Sequence, residues 1–278
     1  MRVGRIPYIN CYPVYGGIDS GAIPFDATLV DGVPTALNRA MRAGTLDVSV
    51  VSAVEYARDA DRYLLLPDLA ISCDGPVRSV MLFARRPASE LDGERVIVSR
   101  SSMTSVALLE LLFDNVWHAR PALVPGDAEV ADLGALRGDP GVARLVIGDA
   151  ALLLTAGESA ARMNYAHAYD LGECWKRWTG LPFVFAVWVA QRDLPVREAL
   201  RAHAALTASR NWGMAHLPEL ATRAAAATGV RSRICLDYMS GLDYRLSPDH
   251  LAGLTEFFRR LEAAGKVPAG ELSFLPAA

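Results

Sequence analysis

Residues 3–15, VGRIPYINCYPVY, open on a short apolar strand pattern that runs directly into Pro7, Asn10 and Pro13. Proline cannot donate to a strand ladder, so the segment has to leave the sheet at this point. That places Asn10 beyond the carboxyl end of the first strand, where open α/β sheets hold their ligands. The other reading is an asparagine that satisfies its own turn.

Downstream, strand and helix patterns alternate. Residues 25–30 form an extended run, and Asp31-Gly32-Val33-Pro34 starts a helix over 34–43 that stops at Gly44. LDVSVV, residues 46–51, reads as a buried strand, and Ser52 is placed to cap a helix over 53–60. Extended runs follow at 64–72 and 77–84, and the alternation restarts from Glu90: strand 95–98, helix 106–113, strand 122–124, helix 129–136 and strand 143–147. A strand over 165–171, a helix over 172–178 and the apolar strand 182–191 (PFVFAVWVAQ) complete it. After Leu194 the pattern is helical only, near 196–211, 217–228, 232–240 and 248–264.

Two α/β patterns with a helical tail point to two lobes. Taking 77–84 and 183–189 as crossovers makes lobe I residues 1–84 plus 190–278, and lobe II the inserted residues 85–189. Ligand pockets favour such lobe junctions. One continuous doubly wound sheet is the alternative.

Composition narrows the function. The chain has 278 residues, 52% of them hydrophobic, which is ample for a core, and a net charge of −3 with no basic block, so no nucleic-acid partner is expected. Cys11, Cys73, Cys174 and Cys235 are scattered, and the five histidines form no HExxH or local cluster, so neither a metal site nor a disulfide framework is implied. MRVGRIPYIN has no apolar signal core, and no apolar run is long enough for a membrane helix; a cytoplasmic protein without a membrane partner is expected.

The sharpest chemical signal is SSMTS, residues 101–105. A helix start leaves backbone N–H groups unpaired and carries positive partial charge, which suits an anion. One hydroxyl suffices for capping; Ser101, Ser102, Thr104 and Ser105 around Met103 exceed that need. A carboxylate or phosphate site is therefore expected here, against a plainly capped helix. Ser79, after Gly75-Pro76, is either a ligand donor or bonded to a neighbouring strand. Gly148-Asp149 ends a strand before a helix; Asp149 reads better as an N-cap than as a ligand contact, and Ser52 carries the same ambiguity. No GxSxG elbow, phosphate-binding loop or GxGxxG turn occurs, and no carboxylate pair announces acid–base work. Cys11 has no base near it in sequence and reads as inert.

These residues resemble a known family, MqnA, the chorismate dehydratases of the futalosine route to menaquinone. The matching pieces are VGRIPYINCYP, GTLDVSVVSAVEYA, LAISCDGPVRSV, SSMTSVALLELL, LVIGDAALL and WKRWTGLPFVFAVW, in order from the N-terminus to about residue 190. A sister enzyme of that pathway, dihydroxynaphthoate synthase, relies on a histidine, and none lies in these motifs. The resemblance implies a type II periplasmic-binding-protein-like fold: two α/β lobes joined by two crossover strands around a ligand cleft. It implies a cofactor-free hydro-lyase that converts chorismate, a small dicarboxylate, to 3-[(1-carboxyvinyl)oxy]benzoate and water. Asn10 and Ser79 match the family's catalytic positions, and Ser102 and Thr104 its anion-binding helix start; Ser52, Ser101, Met103, Gly148 and Asp149 join them as candidate substrate contacts. Ser99-Arg100 departs from the pattern, since relatives often carry an aspartate there. The rival is a cytosolic small-anion binding or sensor protein on the same fold. Oligomeric state is not legible.

Overall fold

The computed structural model describes residues 1–126, 142–155 and 165–277. The expected helix at 129–136 lies outside them. The chain divides into two compact units, Met1–Ser72 with Val184–Ala278, and Cys73–Phe183.

The first unit holds a five-stranded sheet in the order β2-β1-β3-β10-β4. Its strands are β1 (Arg2–Arg5), β2 (Thr28–Asp31), β3 (Val48–Ser52), β4 (Tyr63–Cys73) and β10 (Phe183–Gln191). β1 runs parallel to β2 and to β3, whereas β10 is antiparallel to β3, with Ala186 opposite Ser52. All five residues of β3 are buried, as its β-branched run requires of a central strand. Helices α1 (Tyr12–Asp19), α2 (Pro34–Arg42), α3 (Ala53–Arg58), α7 (Val196–Ala215), α8 (Leu217–Thr228), α9 (Ser232–Ser240) and α10 (Pro248–Ala263) belong to this unit.

Helix α1 was not foreseen. Gly16 and Gly17 make it a poor helix by propensity, and packing overrides that; Pro13 stands in its first turn, where a missing N–H costs nothing. Its glycines let α7 and α8 approach: a Cβ on Gly17 would meet Ser209 and Trp212, and one on Gly16 would meet Leu220. A chain of hydrogen bonds then fixes α1 on the sheet, since the Trp188 indole donates to the Tyr15 hydroxyl (3.0 Å), which donates to the Gly4 carbonyl (2.9 Å). Burial pushes the Tyr15 phenol far up, so it stays a neutral donor.

On α7, the buried Arg210 guanidinium binds the Asp68 and Tyr244 carbonyls and the Asp68 carboxylate. Asp68 sits in the left-handed region of β4 (φ 54°), so Arg210 closes on both backbone and side chain of an irregular strand position. His203, two turns earlier in the helix, binds the Pro67 carbonyl at 2.8 Å.

The second unit carries its own five-stranded sheet, β7-β6-β8-β5-β9. The strands are β5 (Val80–Ala84), β6 (Arg95–Ser99), β7 (Ala122–Gly126), β8 (Ala143–Ile147) and β9 (His167–Asp170). β6 is parallel to β7 and β8; β5 is antiparallel to β8 and β9. Helices α4 (Thr104–Leu112), α5 (Gly148–Thr155) and α6 (Leu171–Thr179) flank the sheet. Met81, Phe83, Val146, Ala151, Leu154 and Tyr165 form one of its apolar clusters.

The boundaries expected at 84/85 and 189/190 need correcting. β5 is hydrogen-bonded on both sides within the second sheet, so the chain leaves the first unit earlier, at the end of β4. β10 is paired residue by residue with β3 as far back as Ala186, so it returns to the first unit at its very start.

Candidate functional site

In each unit the strand directions gather the candidate residues at one sheet edge. In the first, β1 and β3 run parallel, so the turn carrying Asn10 and the end of β3 carrying Ser52 lie at the same carboxyl edge. In the second, β6 and β8 run parallel, so residues 101–104 and Gly148 share an edge. β5 is antiparallel to β8, with Val80 opposite Ile147, and therefore starts at that edge with Ser79 just before it. Carboxyl edges of parallel strands are where α/β sheets bind ligands.

Asn10 lies in a 3-10 turn, Ile9–Cys11, closed by the Cys11 N–H on the Tyr8 carbonyl at 3.0 Å. The turn is thus satisfied by backbone. The Asn10 carboxamide oxygen is buried and has no hydrogen-bond partner among the described residues. An unmade bond on a buried acceptor costs about 1–3 kcal/mol, so this oxygen is open to a further donor. A turn bond from a backbone N–H to this oxygen is absent among the described residues.

Cys11, next to it, is buried. It lines a cavity of about 140 Å³ with Tyr12, Tyr15, Arg5, Asp19 and Arg223. The Arg5 charge there is matched by Asp19 and Asp31, at 2.5 and 2.6 Å. A larger cavity of the same unit, about 380 Å³, lies against Tyr56 and Phe258 and touches none of the candidate residues.

Ser52 is engaged in structure. Its hydroxyl accepts the Glu55 N–H (3.2 Å), capping α3, and the Asn38 amide (2.9 Å), while the Ser52 N–H donates to the Asn38 carboxamide oxygen (3.2 Å).

At the start of α4 the hydroxyls divide their tasks. Ser102 accepts the Ser105 N–H at 3.2 Å, which caps the helix and leaves the Ser102 O–H proton to point elsewhere. Ser99 accepts the Ser101 N–H at 3.0 Å. That is the bond an aspartate would make to the N–H two residues on, so the Ser99 departure keeps the local turn. Thr104 is buried as the first helical residue, and Ser101 and Met103 are half-buried beside it.

Ser79 is buried, and its backbone is held twice: its N–H binds the Val77 carbonyl and its carbonyl accepts the Gly148 N–H, each at 2.8 Å. Gly148 has φ 66°, a left-handed turn suited to glycine, and is itself the first residue of α5. Asp149 is therefore inside the first turn of α5 and not its N-cap. An acid there still favours the helix dipole.

The residue that sequence reading missed is Asp170. Its buried carboxylate accepts backbone N–H groups from Val77 (3.0 Å), Arg78 (2.6 Å), Gly172 (2.9 Å) and Glu173 (3.1 Å). Burial pushes its carboxyl pKa up, and the four N–H bonds pull the other way. The spacing of Asp170 and Glu173 signals a helix cap. Nothing local signals the bond to residues some ninety positions earlier.

Among the described residues no group of three or more His, Cys, Asp or Glu side chains is placed to hold a metal ion. No helix among them is long and apolar enough to cross a membrane.

Comparison with known proteins agrees with this architecture. A solved protein of Archaeoglobus fulgidus superposes with a TM-score of 0.79 at 20% identity, covering 96% of this chain and 98% of its own. An alkanesulfonate-binding protein of Xanthomonas axonopodis pv. citri, bound to MOPS, gives 0.70 at 13% identity over 97% and 94% of the two chains. A Candida albicans protein described as having the generic periplasmic binding protein fold gives 0.65 at 12% identity, covering 98% of this chain and 92% of its own. The fold is thus periplasmic-binding-protein-like, with two open mixed α/β sheets. A chorismate dehydratase of Thermus thermophilus is 33% identical over 243 residues, 84% of this chain and 86% of that protein. The family described as menaquinone biosynthesis matches residues 1–263, and the chain belongs to that family.

Proposed function

We propose that this protein is a chorismate dehydratase, a hydro-lyase that forms 3-[(1-carboxyvinyl)oxy]benzoate and water in the cytoplasm for menaquinone biosynthesis. The observation that carries the reading is the unpartnered Asn10 oxygen at the carboxyl edge of the first sheet. The hydroxyl-rich start of α4 and the twice-held Ser79, which share one edge of the second sheet, accompany it. The similarity to the Thermus thermophilus enzyme supplies the substrate.

Chorismate has two carboxylates, a ring hydroxyl and, on the neighbouring ring carbon, an enolpyruvyl ether. The reaction removes the hydrogen of the ether-bearing carbon as a proton and the hydroxyl with its bonding pair. The carbon–hydrogen pair becomes the third double bond of the ring, and proton and hydroxide leave as water. Aromatisation supplies the driving force, so the demand on a protein base is low. Asn10 accepts a hydrogen bond from the substrate hydroxyl through its carboxamide oxygen and donates through its amide, Ser79 donates to the substrate, and Ser102 and Thr104 hold a carboxylate against the N–H groups of α4. The proton passes to the substrate's own side-chain carboxylate. Orientation of this kind is worth up to about 7–11 kcal/mol of barrier, enough to carry much of the acceleration.

The test is incubation of the purified protein with chorismate under chelator, followed by ultraviolet absorbance and mass. An aromatic product lighter by one water is expected. Chorismate bound but unchanged would replace this reading with a binding or sensor protein on the same fold.

A further inference from the structure

We infer that Asp170 is the positioning residue for Ser79: it clamps the segment that presents the Ser79 hydroxyl. The inference rests on the proposed role of Ser79 in the dehydration.

The segment from Gly75 to Ser79 is a turn that would not hold its shape unaided. Gly75 has φ 122°, a region side chains avoid, and Arg78, a non-glycine, has φ 63°. A left-handed position for an ordinary residue is held only when its surroundings over-determine it. Asp170 supplies those surroundings at the N–H groups, and the Thr155 hydroxyl donates to the Arg78 carbonyl at 3.4 Å. One carboxylate oxygen takes the Val77 N–H and both first-turn N–H groups of α6, and the other takes the Arg78 N–H. The same carboxylate is therefore the N-cap of a helix and the anchor of a loop.

Close packing tightens the junction. A Cβ on Gly172 would lie 2.6 Å from the Gly75 carbonyl oxygen and 2.7 Å from the Cys73 sulfur, so turn and helix start are in backbone contact. Lys176, one turn into α6, pairs with Asp74 at the outer end of the turn. Past Arg78 the chain has no freedom left: the Ser79 N–H is turned back onto Val77 and its carbonyl is fixed by Gly148. The direction of the Ser79 side chain is set by this chain of bonds, and its origin is a side chain on another strand. A hydroxyl misplaced by about 1 Å can cost roughly a hundredfold in rate, so loss of the clamp falls on turnover more than on folding.

Two substitutions separate the tasks. Asp170→Asn keeps the size but turns an amide N–H toward donors. Asp170→Ser retains a hydroxyl that caps α6 and is too short to reach Val77 and Arg78, so it protects the fold. Either is expected to lower kcat by about tenfold or more with KM changed by less than about threefold. The deciding readout is a double-mutant cycle with Ser79→Ala. In the Ser79→Ala background the Asp170 substitution should leave kcat within about twofold, because the hydroxyl it positions is gone. An equal fall in both backgrounds would make Asp170 a structural residue and overturn the inference while leaving the Ser79 role intact. An unchanged kcat in Ser79→Ala alone would remove Ser79 from the reaction, a failure visible before Asp170 is touched. Wild-type kcat in Asp170→Ser would also overturn it.

Discussion

Asn10→Ala is expected to lower kcat by more than about tenfold, toward the roughly hundredfold cost of losing one preorganised polar group at a reacting centre. Stability should hold or rise, by up to about 1–3 kcal/mol. The two halves of this result follow from one observation. The Asn10 oxygen is buried without a partner, so the folded chain carries its desolvation cost with no return until substrate binds. Cutting the side chain back removes that cost together with the group that would meet the ring hydroxyl. The surrounding turn survives, since the bond that closes it is between the Cys11 N–H and the Tyr8 carbonyl. Steady-state kinetics and a thermal melt on the same sample check both halves. An unchanged kcat would take Asn10 out of the mechanism, and a melting temperature that fell with the activity would make it a structural residue.

Gly213→Ala should give the opposite pattern, with stability lost first. A Cβ at 213 would stand 2.1 Å from the Pro13 carbonyl oxygen and 2.7 Å from the Pro13 Cα. Alanine is the better helix former, by up to about 1 kcal/mol. That gain loses to the clash, because the obstructing atoms are backbone and cannot rotate away. Overpacking against a fixed neighbour costs about 1–3 kcal/mol, and here α7 or α1 has to move as a body. For a chain of this size the melting temperature should fall by about 2–5 °C. Because α1 begins directly after the Asn10 turn, activity should fall with it. Differential scanning calorimetry reads the first effect; a melting temperature at or above wild type would show that the helices are not in contact through these backbones.

What the sequence made legible was what local rules control. Strands β3, β6, β8 and β10, helix α2 with Pro34 at its start, and the cap by Ser52 all follow from periodicity and capping chemistry within a few residues. Helix α1 did not, because its paired glycines speak against a helix and the distant partners Ser209, Trp212 and Leu220 make it one. The unit boundaries failed for a related reason: extended runs look alike in sequence, and only pairing shows that β5 belongs to the second sheet. At the candidate site, Asn10 and the start of α4 stood out by residue type. Their state did not, since an empty acceptor on Asn10 and a proton left over on Ser102 are facts of geometry. Asp170 lay furthest out of reach: its local signature is a cap, and its bonds to Val77 and Arg78 arise from strand order alone.

The central claim is that uncharged donors orient a substrate whose own carboxylate takes the proton, and the pH dependence of kcat/KM with chorismate tests it most directly. Free-enzyme groups that must change charge appear in that profile, and a protein base such as histidine would add a limb near its usual value of about 6.5. The account predicts a plateau from about pH 6 to 9, with a fall only toward the carboxylate range of about 4. A limb near neutrality that vanished when one histidine or cysteine was replaced would contradict it.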